Sequence, residues 1–140
     1  MNTTKDLKVI QSSLQLLDDD KSEQLITLTY ALFFKNCPQA EILWRVDDPV
    51  SRIKMFNGVI LMVIDKLNRP TVYESNLNTD TREHHEYGVT SEMYVLFFRA
   101  LIDSFVHVLS SDFSNEMKLT WERQFECIDQ TIQKYISLKL

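Results

Sequence analysis

The stretch His84-His85-Glu86-Tyr87-Gly88-Val89 decides how this chain is read. Two adjacent histidines stand just ahead of Gly88, one of only 2 glycines in the chain, and a long apolar helical pattern follows. A histidine at the end of one helix offers a metal ligand to a pocket formed by its neighbours. The same residues also suit a polar helix end closed by a capping glycine, with no ligand at all. The flanking segments choose between these readings.

The chain has 140 residues, the size of a single domain spanning 1–140 with a core of its own. Gly at 2 and Pro at 3 argue against a turn-rich all-β chain. Aromatic residues reach 11%, so the interior is expected to be bulky. A net charge of −5 without a basic stripe argues against a nucleic-acid partner. The N-terminal residues Met1 to Asp6 lack the apolar run of a signal peptide, and the run Val59 to Ile64 is too short to span a bilayer. No membrane association is expected. Cys37 and Cys127 stand singly, which reads as free thiols in a cytoplasmic protein.

Working outward, the apolar positions recur at spacings of three and four, and no window alternates with period two. Asp6 is placed to cap a first helix carrying Leu7, Ile10, Leu14 and Leu17. Ser22 suits the cap of a second, apolar around much of its circumference through Leu25, Ile26, Leu32 and Phe33. Pro38 ends that helix or starts a short further turn. Pro49 opens a helix with Ile53, Phe56, Ile60, Val63, Ile64 and Leu67, stopped by Asn68-Arg69-Pro70. Thr71 to Glu83 is polar and is expected to be short or frayed helix. Ser91 starts a helix through Phe97, Phe98, Ile102 and Phe105, and Ser114 caps a last one through Trp121, Phe125, Ile128 and Ile132. The fold class is all-α.

In that order the motifs resemble those of the globin family, of the single-domain bacterial type and the haem domains of flavohaemoglobins and globin sensors. Val9 to Leu14 is similar to the family's first-helix motif, and Tyr30, Phe33, Phe34 and Pro38 to its second-helix pattern. His84, Tyr87, Gly88 and Val89 match His-x-x-Tyr-Gly-Val, with Tyr94 following at the family's distance. Phe113-Ser114-x-Glu116 then leads into Trp121, Phe125 and Ile128. The resemblance implies a globin fold of about six to eight helices around a haem pocket.

It also implies roles. His84 would be the axial ligand of haem b iron: successive helix residues point about 100° apart, so only one of the two histidines can face the metal, and the family's motif spacing to Gly88 selects His84. His85 and His107 keep the reading of solvated side chains. Tyr30 would donate to a bound gas, against the plainer role of a core tyrosine bonded to a backbone carbonyl. Counting back from His84 sets Phe56 over the haem and Arg52 at the pocket mouth, or on a haem propionate; a register shifted by one gives Met55 and Ser51. The apolar rhythm through Phe56 and Ile60 favours the first. Trp44, Val89, Phe98, Ile102 and Ile128 would complete the lining. Two departures stand out: Trp44 replaces the family's phenylalanine, and Asp80 stands where it prefers leucine.

The expected function is reversible binding of dioxygen or another diatomic gas, for storage, transport or sensing. An enzymatic alternative is nitric oxide dioxygenation or a peroxidase-like activity with an external reductase. A third reading is a haemless globin-fold signalling module, favoured by Asp80 and its polar neighbours. A signalling partner would serve a sensor, and a homodimer through the last two long helices is compatible with that role.

Overall fold

Polar caps and prolines cut the chain into helices at the places where helical hydrogen bonding cannot continue. The computed structural model describes residues 3–43 and 48–139. Among them run seven helices, one 3-10 turn and no strand. They are α1 (Thr3–Gln15), α2 (Asp19–Asn36), α3 (Pro38–Leu43), α4 (Pro49–Asn68), α5 (Pro70–Glu86), α6 (Ser91–Leu109) and α7 (Asn115–Lys139).

The boundaries have local causes. Asp18, rather than Ser22, caps α2: its carboxylate accepts from the Lys21 backbone N–H at 2.8 Å. Asp19 and Asp20 then fall in the first turn, where negative charge meets the positive end of the helix dipole. Asp48 caps α4 through the Val50 N–H at 3.0 Å, and Pro49 takes the first helical position, where no N–H is needed. Arg69 closes α4 and Pro70 opens α5, so the two helices are joined by a single residue. Ser114 caps α7 through the Met117 N–H at 3.1 Å.

Two expectations need correction. Asp6 is not a cap, since α1 already begins at Thr3. It is buried, and its carboxylate accepts from Arg123 Nη2 and Gln124 Nε2 of α7, both at 2.8 Å. Gln124 in turn accepts from Lys66 Nζ of α4 at 2.7 Å, so one polar chain ties three helices together. The segment Thr71 to Glu83 is not frayed either: α5 runs for 17 residues. Its buried residues Tyr73, Leu77 and Thr81 follow one another at four-residue steps, and this narrow stripe packs on α4 and α7. The polar residues occupy the outer side.

The core is aromatic. Trp121 of α7 is fully buried against Phe105 and Phe125, with ring centroids at 5.0 and 5.6 Å. Its indole N–H donates to Ser13 Oγ of α1 at 2.9 Å, which removes the cost of burying that donor. Phe98 of α6 stacks on Phe125 at 4.4 Å. Among the described helices, α6 is long and apolar enough to cross a membrane, but half of that window is buried here, with α2 and α7 packed against it. Cys37 and Cys127 are free thiols.

Candidate functional site

The turn from His84 to Val89 is a helix terminator of defined geometry. Val89 N–H donates to the His84 carbonyl at 2.9 Å, and Gly88 N–H donates to the His85 carbonyl at 3.1 Å. This nested pair is the Schellman arrangement, which requires a left-handed residue just past the cap. Gly88 supplies it, at φ +92°. The capping reading and the ligand reading therefore describe the same six residues: the cap holds the last turn of α5 in place, and that turn presents His84.

His84 lies on the wall of a cavity of about 570 Å³. The volume falls within the range of roughly 300–1,000 Å³ usual for small-molecule and cofactor sites. One wall is α4, through Ser51, Lys54, Met55, Gly58, Val59 and Met62. A second wall is α5, through Leu77, Asp80, Thr81 and His84. Phe33 of α2, Met93, Tyr94, Phe97 and Phe98 of α6, and Ile132 of α7 complete the lining, with Val89 and Tyr87 from the turn. His85, one residue on, is exposed.

The imidazole is held and tuned. Its Nδ1 lies 3.1 Å from the Tyr94 hydroxyl. Burial lowers the His84 pKa below its ordinary 6.5, while the negative charges of Asp80 and Glu83 oppose that shift. The ring is accordingly neutral at pH 7. Tyr94 remains a phenol, pushed up to about 12 by burial and then by the charge of Asp80. With Nδ1 engaged by Tyr94, a metal would take Nε2; Nδ1 then carries the proton and donates it to the phenol oxygen.

The backbone as a whole can be compared with solved structures. An engineered carbene transferase, made from a Rhodothermus marinus protein described as a nitric oxide dioxygenase, superposes with a TM-score of 0.71. It is 18% identical, and 96% of each chain is covered. The deoxy form of haemoglobin from Mustelus griseus superposes with a TM-score of 0.71 at 16% identity, again with 96% of each chain covered. The chain has the globin fold. No protein-family profile matches the sequence, and no curated protein is significantly similar to it.

Within the globin fold, the expected site residues divide into two groups. His84, Val89 and Phe98 line the cavity. Tyr30, Arg52, Phe56, Ile60, Ile102 and Ile128 are not among its lining residues, and Trp44 lies outside the described residues. Ile102 and Ile128 are buried in the core beneath it. On α4 the cavity is lined by Ser51 and Met55, the residues of the alternative register, and not by Arg52 and Phe56. The cause lies in the helix itself, which has two apolar faces. Phe56, Val63 and Leu67 are buried on one, with Ile60 packed against the same core, and α4 meets α1 and α2. Met55, Val59 and Met62 form the other, interleaved with Ser51, Lys54 and Gly58. Periodicity selects the more apolar face, and that face belongs to the permanent core.

Tyr30 is buried in the core. Its hydroxyl donates to the backbone carbonyl of Arg52 at 2.8 Å, and its ring packs on Phe34 and Phe97. Burial raises its pKa, against the opposing charge of Arg52. The Arg52 guanidinium lies over the Tyr30 and Phe34 rings, at 5.5 and 5.1 Å from their centroids, which places its charge on aromatic faces. The residues that sequence reasoning missed are mainly Met62, Met93, Phe97 and Ile132, whose spacing is that of ordinary core. Tyr94 belongs to the motif series, but its bond to His84 is not readable from spacing.

Proposed function

We propose that this chain is a haem-binding protein that takes up a diatomic gas. The observation that carries the proposal is one side chain: a neutral imidazole, held by a phenol, on the wall of a cofactor-sized cavity. The other walls fit the same group. They are largely apolar, as a porphyrin face requires, and Lys54 is exposed at the rim, where a haem propionate would meet a cation. Gly58 adds room: a Cβ placed there meets nothing within 4 Å.

Haem, when bound, would supply the iron that takes the gas. Everything else is done by the chain. His84 would hold the iron through Nε2, and Tyr94 would keep its ring from rotating and fix the tautomer. The apolar residues exclude water, which limits oxidation of the iron. On the α4 side a gas would meet Met55 and Val59, while the Tyr30 proton is engaged by the Arg52 carbonyl. Uptake is therefore governed by the iron and by packing, with no strong hydrogen-bond donor from Tyr30. In this reading the cofactor is haem b and the role is gas storage, transport or sensing in the cytoplasm. Titrating the purified protein with haemin tests this: a Soret band that saturates near one haem per chain is expected, and its absence would refute the reading.

A further inference from the structure

Three of the four methionines after Met1, namely Met55, Met62 and Met93, line the one cavity that holds His84. Methionine is unbranched and turns about three bonds, so its sulfur reaches where a branched side chain cannot. Thioether sulfur is also a soft ligand, and paired with histidine it completes the iron coordination of some electron-transfer haems. The question is which sulfur, if any, faces the imidazole.

The joint at Arg69 answers it. Both α4 and α5 line the cavity, so the chain folds back on itself at that residue. Met55 lies fourteen positions before Arg69 and His84 fifteen after it. At a rise of about 1.5 Å per residue, the two stand at nearly equal lengths of helix from the joint, about 21 and 22 Å, and both line the cavity. Met62, seven positions before Arg69, matches Leu77 in length of helix instead. Met93 belongs to α6, just beyond the His84 turn, and does not face it from the opposite helix.

The other donors at this level are disposed of by their own surroundings. Lys54 is exposed at the rim, whereas Met55 is half-buried. Asp80 stands on α5 itself, one turn before His84, and so shares its side. The Tyr30 hydroxyl already donates to the Arg52 carbonyl.

We propose that Met55 is an internal sixth ligand: with haem bound through His84, the Met55 thioether occupies the opposite coordination position until a gas displaces it. This rests on the haem-binding reading. The exchange breaks one sulfur–iron bond and forms one gas–iron bond, with no change in oxidation state. Gas uptake is then gated by release of the sulfur. If the sulfur is bound about nine-tenths of the time, the apparent gas affinity falls about tenfold.

The test uses haem-loaded protein and carbon monoxide as the probe. The ferrous protein without added ligand is expected to be six-coordinate and low-spin, and the ferric protein to show the near-infrared magnetic circular dichroism band of a thioether ligand. Met55→Leu, which conserves volume, should keep the Soret band, become five-coordinate, and bind carbon monoxide about tenfold more tightly; Met62→Leu should change neither. A five-coordinate wild type, or a low-spin Met55→Leu protein, would overturn the proposal while leaving haem binding intact. Failure to take up haem at all would overturn both, and the missing Soret band distinguishes that outcome.

Discussion

An imidazole that holds a metal must be neutral and oriented, and the surroundings of His84 supply both conditions. Burial disfavours its charged form, and Tyr94 takes one ring nitrogen at 3.1 Å. The sign of the shift gives a measurable consequence. With a folded-state pKa below the ordinary 6.5, His84 binds its proton later than an unfolded chain would as pH falls. Its contribution to stability is therefore complete above that value and is lost as pH falls from it to the folded pKa. A ring-proton NMR titration of the ligand-free protein should place the His84 midpoint below 6.5, and a midpoint above it would contradict the account. Tyr30 carries the opposite lesson. Its hydroxyl is committed to the Arg52 carbonyl, so Tyr30→Phe should cost about 1 kcal/mol of stability for the lost hydrogen bond. The dioxygen dissociation rate should change by less than about threefold, because removing a bond worth a full 1.4 kcal/mol would be needed for tenfold. A larger acceleration, measured by stopped flow, would return Tyr30 to the gas site.

At the scale of the element, what was legible depended on how local its cause is. The His84 turn was legible because the cap needs a glycine at one position and the helix period separates His84 from His85; both are properties of neighbouring residues. The cavity face of α4 was not. Two apolar faces are written into Pro49–Asn68, and which one becomes core is decided by α1 and α2, far away in the chain. Helix α5 was misjudged for a related reason: its composition is polar, yet three buried residues at four-residue steps suffice when two other helices cover them. The α4 wall offers its own test at Gly58. Gly58→Leu replaces a poor helix former, a gain of up to about 1 kcal/mol in the ligand-free protein. The new side chain enters open space on the cavity wall, so haemin affinity should fall by at least about tenfold, near 1.4 kcal/mol. Unchanged haemin binding with raised stability would show that the cavity wall at Gly58 is not part of the cofactor site.

For the whole molecule, the all-α class and the order of the helices follow from apolar spacing and from prolines at 38, 49 and 70, each of which opens a helix. The long-range polar chain Asp6–Gln124–Lys66 was invisible, since no spacing rule links residues 118 and 58 positions apart. That chain, the Trp121 cluster and the one-residue joint at Arg69 together hold α4 and α5 on either side of the cavity, with His84 on one wall. The central claim is that this geometry makes His84, and no other histidine, the anchor of the cofactor. Haem retention measured side by side in the His84→Ala and His85→Ala proteins tests it most directly. His84→Ala should lose haem to an acceptor apoprotein at least a hundredfold faster than wild type, equivalent to about 2.7 kcal/mol of lost binding. His85→Ala should match wild type. Equal retention in the two variants, or faster loss from His85→Ala, would contradict the account.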